Sequence, residues 1–367
     1  EWDTYLTVAI VVLTLLLVHG ALHAQWIESG VPIVADSSEQ TDPHIVPLED
    51  GNVIFVWQDY RNGDRNIDIY AQKINGDGYI LWEKNGRAVC SADSNQYAPE
   101  AVSDGEGGAF VVWQDNRNGN NDIFIQRIDS EGNPMWDAGG VPVCTVSGGQ
   151  VAACIARDGA GGVYVAWEDF RNGYECIYAQ RVSRDGIMLW QSDGVAISNI
   201  DYGVIVMSGY PEIITDSSGN ALIAWVDYRF GHSPKLFVQK VDSSGNTLWT
   251  ENGVRVSMAL VDQDMQQIVS DGSGGVIIVW RAARDDYYWW RYDIYAQRVD
   301  STGTRLWGDI GLPVCSSPDY WARWPDILKL EQGGVIITWY NSMGDISAQR
   351  LGLDGSERWA SNGITVC

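Results

Sequence analysis

The chain has 367 residues, 45 % of them hydrophobic and 18 of them Trp, and 24 Lys+Arg against 48 Asp+Glu leave a formal net charge of −24. Nucleic-acid binding needs a basic footprint, so this balance argues against DNA or RNA as a partner and, by the same physics, against anionic membrane surfaces. It describes a soluble, self-repelling exterior that attracts cations.

The first segment concerns export. Val8 to Val18 (VAIVVLTLLLV) is apolar but shorter than the ~20 residues of a comfortable membrane span. It leads into Ala21-Leu22-His23-Ala24-Gln25, where Ala24 offers a signal peptidase a small residue at −1, while Leu22 is larger than preferred at −3. Residues 1–24 therefore read as a signal peptide without its basic start, and a retained membrane anchor is the alternative. The expected location is secreted, periplasmic or cell surface, with membrane contact only if the apolar segment stays.

From residue 25 to 367 the chain repeats. A β-rich run ends in Trp at 57, 113, 167, 225, 280 and 339, a period of 54 to 59 residues. Each is followed by Gln72, Gln126, Gln180, Gln239, Gln297 or Gln349, always before Lys or Arg. A second Trp then falls at 82, 136, 190, 249, 307 and 359. Periods of this length signal repeat architectures. In the second unit, Pro99–Ser103 reads as a short strand, Ala109–Trp113 as a second and Asp122–Ile128 as an alternating third, with a fourth beginning at Asn133–Trp136. Four antiparallel strands with Asp/Gly turns form one small sheet, and such sheets arranged radially are the blades of a β-propeller. The expectation is an all-β propeller of six four-stranded blades. Trp26–Val34 aligns without gaps to Trp136–Cys144 as an extra fourth-strand segment, so seven blades apply if the chain is a truncated fragment.

Four units place Asp and Arg just after the first Trp: Asp59/Arg61, Asp115/Arg117, Asp169/Arg171 and Asp227/Arg229. The same pair four times is a scaffold part, an ion pair fixing a turn. The last two units lack it, with Ala282/Arg284 and Asn341/Met343. These units also carry the most unusual composition, Tyr287-Tyr288-Trp289-Trp290 in one loop and Tyr320-Trp321-Ala322-Arg323-Trp324 in the connection to the sixth unit. Strand alternation sends both loops to the same face of adjacent blades, and Asp201-Tyr202 and Tyr210 share it. Exposed rings beside Arg and Asp suit stacking on sugars or a protein hot spot. The candidate ligand-binding residues are therefore Tyr287, Tyr288, Trp289, Trp290, Tyr320, Trp321, Arg323 and Trp324, with loop packing as the plain alternative.

Other chemistry is sparse. His44 and His232 stand alone, so no catalytic triad or His-rich metal site is readable. The Asn/Asp turns at 62–66 and 118–122 lack the ordered spacing of a Ca²⁺ loop, and Asx-turn chemistry accounts for them. No cofactor is expected, Ca²⁺ being the one weak candidate. Cys90, Cys144, Cys315 and Cys367 share a slot that holds Ser198 and Ser257 in other units, which marks a small packed side chain. Cys154 and Cys176 share one unit and are the remaining candidates for a bridge.

Segments such as Ala296-Gln297-Arg298-Val299-Asp300-Ser301-Thr302-Gly303-Thr304-Arg305-Leu306-Trp307 resemble exported bacterial β-propeller repeats of the TolB-like and Trp-docked quinoprotein-like kinds. The resemblance implies a Trp, preceded by an Asp/Gly turn, that docks against the neighbouring blade. Here Asp300 and Gly303 are three residues apart, where the quinoprotein pattern has four, and the vicinal Cys pair of those dehydrogenases is absent. Such folds host unrelated functions. Two readings stay open: a non-catalytic exported binding or scaffold module for polysaccharide or a cell-surface protein, and a carbohydrate-active or quinone-dependent propeller enzyme.

Overall fold

The computed structural model describes residues 30–199, 209–231, 233–284, 291–316 and 321–367. The first sheet holds β1 (Gln40–Pro47), β2 (Val53–Asp59), β3 (Asp68–Ile74) and β4 (Arg87–Cys90). The second holds β5 (Gln96–Ser103), β6 (Ala109–Asp115), β7 (Asp122–Ile128) and β8 (Val141–Cys144). The third holds β9 (Gln150–Arg157), β10 (Val163–Asp169), β11 (Cys176–Val182) and β12 (Val195–Ser198). The fourth holds β13 (Glu212–Thr215), β14 (Ala221–Asp227), β15 (Lys235–Val241) and β16 (Val254–Arg255). The fifth holds β17 (Gln263–Ser270), β18 (Val276–Ala283), β19 (Tyr292–Val299) and β20 (Leu312–Cys315). The sixth holds β21 (Ala322–Lys329), β22 (Val335–Asn341), β23 (Ile346–Leu351) and β24 (Ile364–Thr365). Each sheet is a simple antiparallel meander in chain order. The fold class is thus the expected one, an all-β propeller with six four-stranded blades. By compactness the chain forms two units, divided within the third sheet.

Why the runs are apolar without alternation follows from the packing. In the second unit, Ile278 and Trp280 join a core with Leu222, Ala224 and Val238 of the fourth sheet. Their neighbours Ile277 and Val279 join another with Val335, Ile337 and Trp339 of the sixth. Strand side chains alternate between faces, so a strand covered on both faces must be apolar at nearly every position. In the first unit, Val56 and Ala71 share a core with Val111 and Trp113 of the next sheet. Burying one indole removes ~150–250 Å² from water, a gross gain of roughly 4–6 kcal/mol at ~25 cal/mol per Å².

The repeated Gln has one job in all six sheets. Its side chain is fully buried. The amide donates to the carbonyl one residue after the second Trp (Glu83, Asp137, Gln191, Thr250, Gly308, Ala360) at 2.7 to 3.0 Å. Its oxygen accepts the N–H of the following Lys or Arg and the N–H of that Trp. The Gln thereby shapes the turn that carries the second indole. That turn is not a strand. Only an isolated bridge such as Ile128↔Pro134 marks it, and the fourth strand starts at Val141, later than Asn133–Trp136.

Freed from pairing, the second Trp reaches the next sheet, as the resemblance implies. Trp82 Nε1 donates to the Ser130 carbonyl at 3.0 Å, Trp190 to Ser243 at 3.0 Å and Trp249 to Ser301 at 3.1 Å. Gly132, Gly186, Gly245, Gly303 and Gly355 lie against the rings of Trp82, Trp136, Trp190, Trp249 and Trp307.

Residues 30–39 form no strand, so the described part of the Trp26–Val34 segment is not a fourth strand. It still sits where one would end. Ala35 N–H donates to Asn85 Oδ1 at 3.0 Å, as Asn199 does to Asn252 and Ser316 to Asn362. None of the six cysteines forms a disulfide, Cys367 being exposed and Cys90, Cys144 and Cys315 buried.

Candidate binding site

The Asp/Arg pair is a structural clamp. Asp115 accepts the Trp113 indole N–H at 2.8 Å, the Arg117 backbone N–H at 3.0 Å and both arms of the Arg117 guanidinium. The same Arg reaches the Gly139 carbonyl at 2.9 Å and lies over the Phe124 ring at 4.2 Å. Asp59, Asp169 and Asp227 repeat the arrangement. Where Ala282 replaces the Asp, the buried Trp280 Nε1 has no hydrogen-bond partner, and Arg284 bonds Asp293 instead. Where Asn341 and Met343 replace the pair, a cavity of about 340 Å³ opens, lined by Cys315, Trp339, Asn341, Asn362 and Thr365 among others.

Sequence reasoning missed the feature that shapes the site. Asp42, Ala98, Ala152, Tyr210, Met265 and Trp324 occupy one slot at the start of the first strand of each sheet, and every one has a positive φ between 33° and 52°. Such values are uncommon outside Gly. Pairing registers slip in four of these sheets, between Thr41/His44, Tyr97/Glu100, Asp264/Gln267 and Arg323/Asp326, so those four are bulges that re-aim a side chain. A signal existed: Pro43, Pro99, Pro211 and Pro325 follow four of the six.

The slot differs between the compact units. In the first it holds Asp42, Ala98 and Ala152. In the second it holds Tyr210, Met265 and Trp324, which are 69 %, 39 % and 39 % exposed. Gln266 Nε2 donates to the Tyr210 carbonyl at 2.5 Å. Around Trp324 stands an aromatic cluster. Trp324 and Trp321 pack on Tyr340 with ring centroids 5.4 and 5.9 Å away. The Arg323 guanidinium lies 4.5 Å from the Trp321 ring centre and 5.5 Å from that of Tyr292. Arg281 lies 4.0 Å from the same Tyr292 ring and holds Asp264 through two bonds of 2.7 and 2.6 Å.

Of the residues singled out above, Trp321, Arg323 and Trp324 thus meet in one cluster, and Tyr210 is exposed on the equivalent slot of the fourth sheet. Tyr287, Tyr288, Trp289, Trp290, Tyr320, Asp201, Tyr202 and His232 lie outside the described residues. Tyr292, two residues after Trp290, touches Arg323. Sequence reasoning did not place Tyr340, Arg281 or Met265 here.

Two carboxyl groups near these slots are displaced upward. Burial pushes Glu168 above the usual range, and the N–H groups of Tyr210 and Gly209 pull it partly back. Their hydrogen bonds to Glu168 Oε1 are 2.6 and 2.9 Å. Burial likewise raises Asp326, opposed only by its bond from the Ile327 N–H. A folded-state pKa above the unfolded one means stability present at acid pH and lost as pH rises through the folded value. Glu168→Gln keeps an acceptor for both N–H groups and removes that loss. Its thermal midpoint should therefore improve relative to wild type as pH rises above the ordinary glutamate range, about 4.3. A difference that shrinks or stays flat as pH rises contradicts the account.

Metal chemistry finds little support in the side chains. Among the described residues no three or more His, Cys, Asp or Glu converge. The amides of Asn62 and of Asn118 and Asn120 donate to the carboxylates of Asp68 and Asp122, side-chain to side-chain bonds in place of the backbone Asx turns expected there.

No protein-family profile matches the chain and no curated protein matches it. Among solved structures, an ulvan lyase of a polysaccharide lyase family, bound to a GlcA(1-4)Rha3S glycan, is similar at 9 % identity. That likeness covers 89 % of this chain and 84 % of that one with a TM-score of 0.56. A protein of unknown function from Dyadobacter fermentans covers 84 % and 92 % at 9 % identity and a TM-score of 0.46. An endo-arabinase from Bacteroides thetaiotaomicron covers 84 % and 91 % at 15 % identity and a TM-score of 0.39. At these identities the likeness to the ulvan lyase is one of fold. Fold and side chains together define an all-β propeller with an exposed aromatic–arginine cluster in its second compact unit.

Proposed function

We propose that the chain is an exported, non-catalytic propeller of the bacterial repeat kind that binds polysaccharide through Trp321, Arg323 and Trp324. The carrying observation is Trp324, held outward on a bulge and flanked by Tyr340, Trp321 and Arg323. A flat ring offered to solvent beside hydrogen-bond donors suits a sugar ring with its hydroxyls. The glycan-bound ulvan lyase, similar in fold, lends this reading support, and so does the reading of residues 1–24 as a signal peptide, since exported proteins meet polysaccharides.

The test compares wild type with Trp321→Ala/Trp324→Ala against a panel of soluble polysaccharides by calorimetry. The variant should fold, because Ala98 and Ala152 hold the same slot with the same backbone sign. Wild type should bind at least one glycan, and the variant should bind it at least about tenfold more weakly, ~1.4 kcal/mol. Equal binding by both removes the site. Capture of a surface protein with no glycan bound favours the other partner. Asp326 alone favours the enzymatic reading, because burial raises its pKa, the direction a general acid needs. Release of new reducing ends by wild type but not by Asp326→Asn would establish it over simple binding.

A further inference from the structure

Resting on that binding reading, we infer that the sugar taken by the cluster is anionic, with its acidic group held by Arg323 and its ring on Trp324. The first ground is an unbalanced charge. In the fifth sheet, Asp264 stands opposite Arg281 in register and the two form a bidentate ion pair. In the sixth sheet, the same two positions hold Arg323 opposite Tyr340. The arginine has moved to the first strand and its carboxylate has been replaced by a phenol. Among the described residues Arg323 makes no ion pair.

The second ground is desolvation. Arg323 Nε is buried without a hydrogen-bond partner, and the guanidinium is flanked by the rings of Trp321 and Tyr292. A cation placed among rings and short of acceptors binds an oxyanion more strongly than one in water does. The planar fork of Arg matches the two oxygens of a carboxylate or of a sulfate ester. Asp326, three residues along, does not fill the role, since its one bond is from the Ile327 N–H.

The third ground is the contrast with the rest of the chain. A formal charge of −24 repels a polyanion at long range, so selectivity for an acidic glycan has to arise from such a local cation. This predicts an unusual salt response. Screening weakens the long-range repulsion more than a partly buried pair, so affinity should hold or rise with salt instead of falling.

The experiment titrates the full chain with oligogalacturonate, its methyl ester, an alginate oligosaccharide, dextran and dextran sulfate. Wild type should bind at least one acidic probe about tenfold tighter than its neutral counterpart. The uronate and sulfate arms decide which acid it is. Arg323→Gln should bring the acidic probe down to the level of its neutral counterpart, erasing the preference for acid, while Trp324→Ala weakens both. Equal affinity for acid and ester, with both lost in Trp324→Ala, overturns the acidic-sugar inference and leaves the site standing. Binding untouched by Trp321→Ala and Trp324→Ala overturns the site itself, and no binding to any acidic probe overturns the inference outright.

Discussion

Asp115→Ala should lower the unfolding free energy by about 4 kcal/mol, measured as a shift of the urea midpoint. The carboxylate is fully buried and serves two partners that have no substitute. Its loss strands the Arg117 guanidinium, whose side chain is 22 % exposed, beside the Phe124 ring. Removing one member of a buried pair costs ~3–5 kcal/mol because the other charge is left behind. It also orphans the Trp113 indole N–H, a further cost of ~1–3 kcal/mol, part of which relaxation recovers. Asp115→Asn keeps an acceptor for the indole and should lose roughly half as much. A loss under about 1 kcal/mol for the Ala variant would show the clamp to be ornamental.

Gly140→Ala should cost about 3 kcal/mol by the same measurement. Gly140 has a φ of +81°, and a Cβ there would meet Trp113 Cη2 at 2.4 Å and the Ile125 carbonyl at 2.7 Å. Neither can give way, since the indole is wholly buried and clamped. Left-handed backbone costs a non-Gly residue ~1–2 kcal/mol, and overpacking a tight core adds ~1–3 kcal/mol. Gly119→Ala separates the two contributions. Its φ is +90° but nothing lies within 4 Å of its would-be Cβ, so it should lose only the backbone part. Equal losses in the two variants would refute the steric argument.

The repeat itself was plain in the chain because an indole every 54 to 59 residues has no local explanation. The clamp was readable too, since Asp and Arg recur at a fixed distance from that indole. The Gln was visible as a pattern but not as a device. Its partners are a carbonyl and an N–H about ten residues away and the N–H of the next residue, and sequence does not show backbone. The fourth strand was placed too early, at Asn133–Trp136, whereas the indole must leave its own sheet to dock. The bulge escaped notice for a different reason. Left-handed backbone is expected at Gly, and here it falls on Asp, Ala, Tyr, Met and Trp. Composition pointed to Trp321, Arg323 and Trp324. It could not show that Tyr340 lies opposite Arg323 in register or that Arg281 shares the Tyr292 ring with Arg323, because those meetings depend on a register slip and on contact between neighbouring sheets.

The indole that leaves one sheet and lodges under the following turn makes each blade guarantor of its predecessor. Such arrays behave as a one-dimensional lattice, with energies assigned to sites and to the joints between them. Substituting Trp82 should therefore raise amide exchange in the Asp129–Gly132 turn before it disturbs β1, as a defect spreads down a zip from the tooth that was pulled.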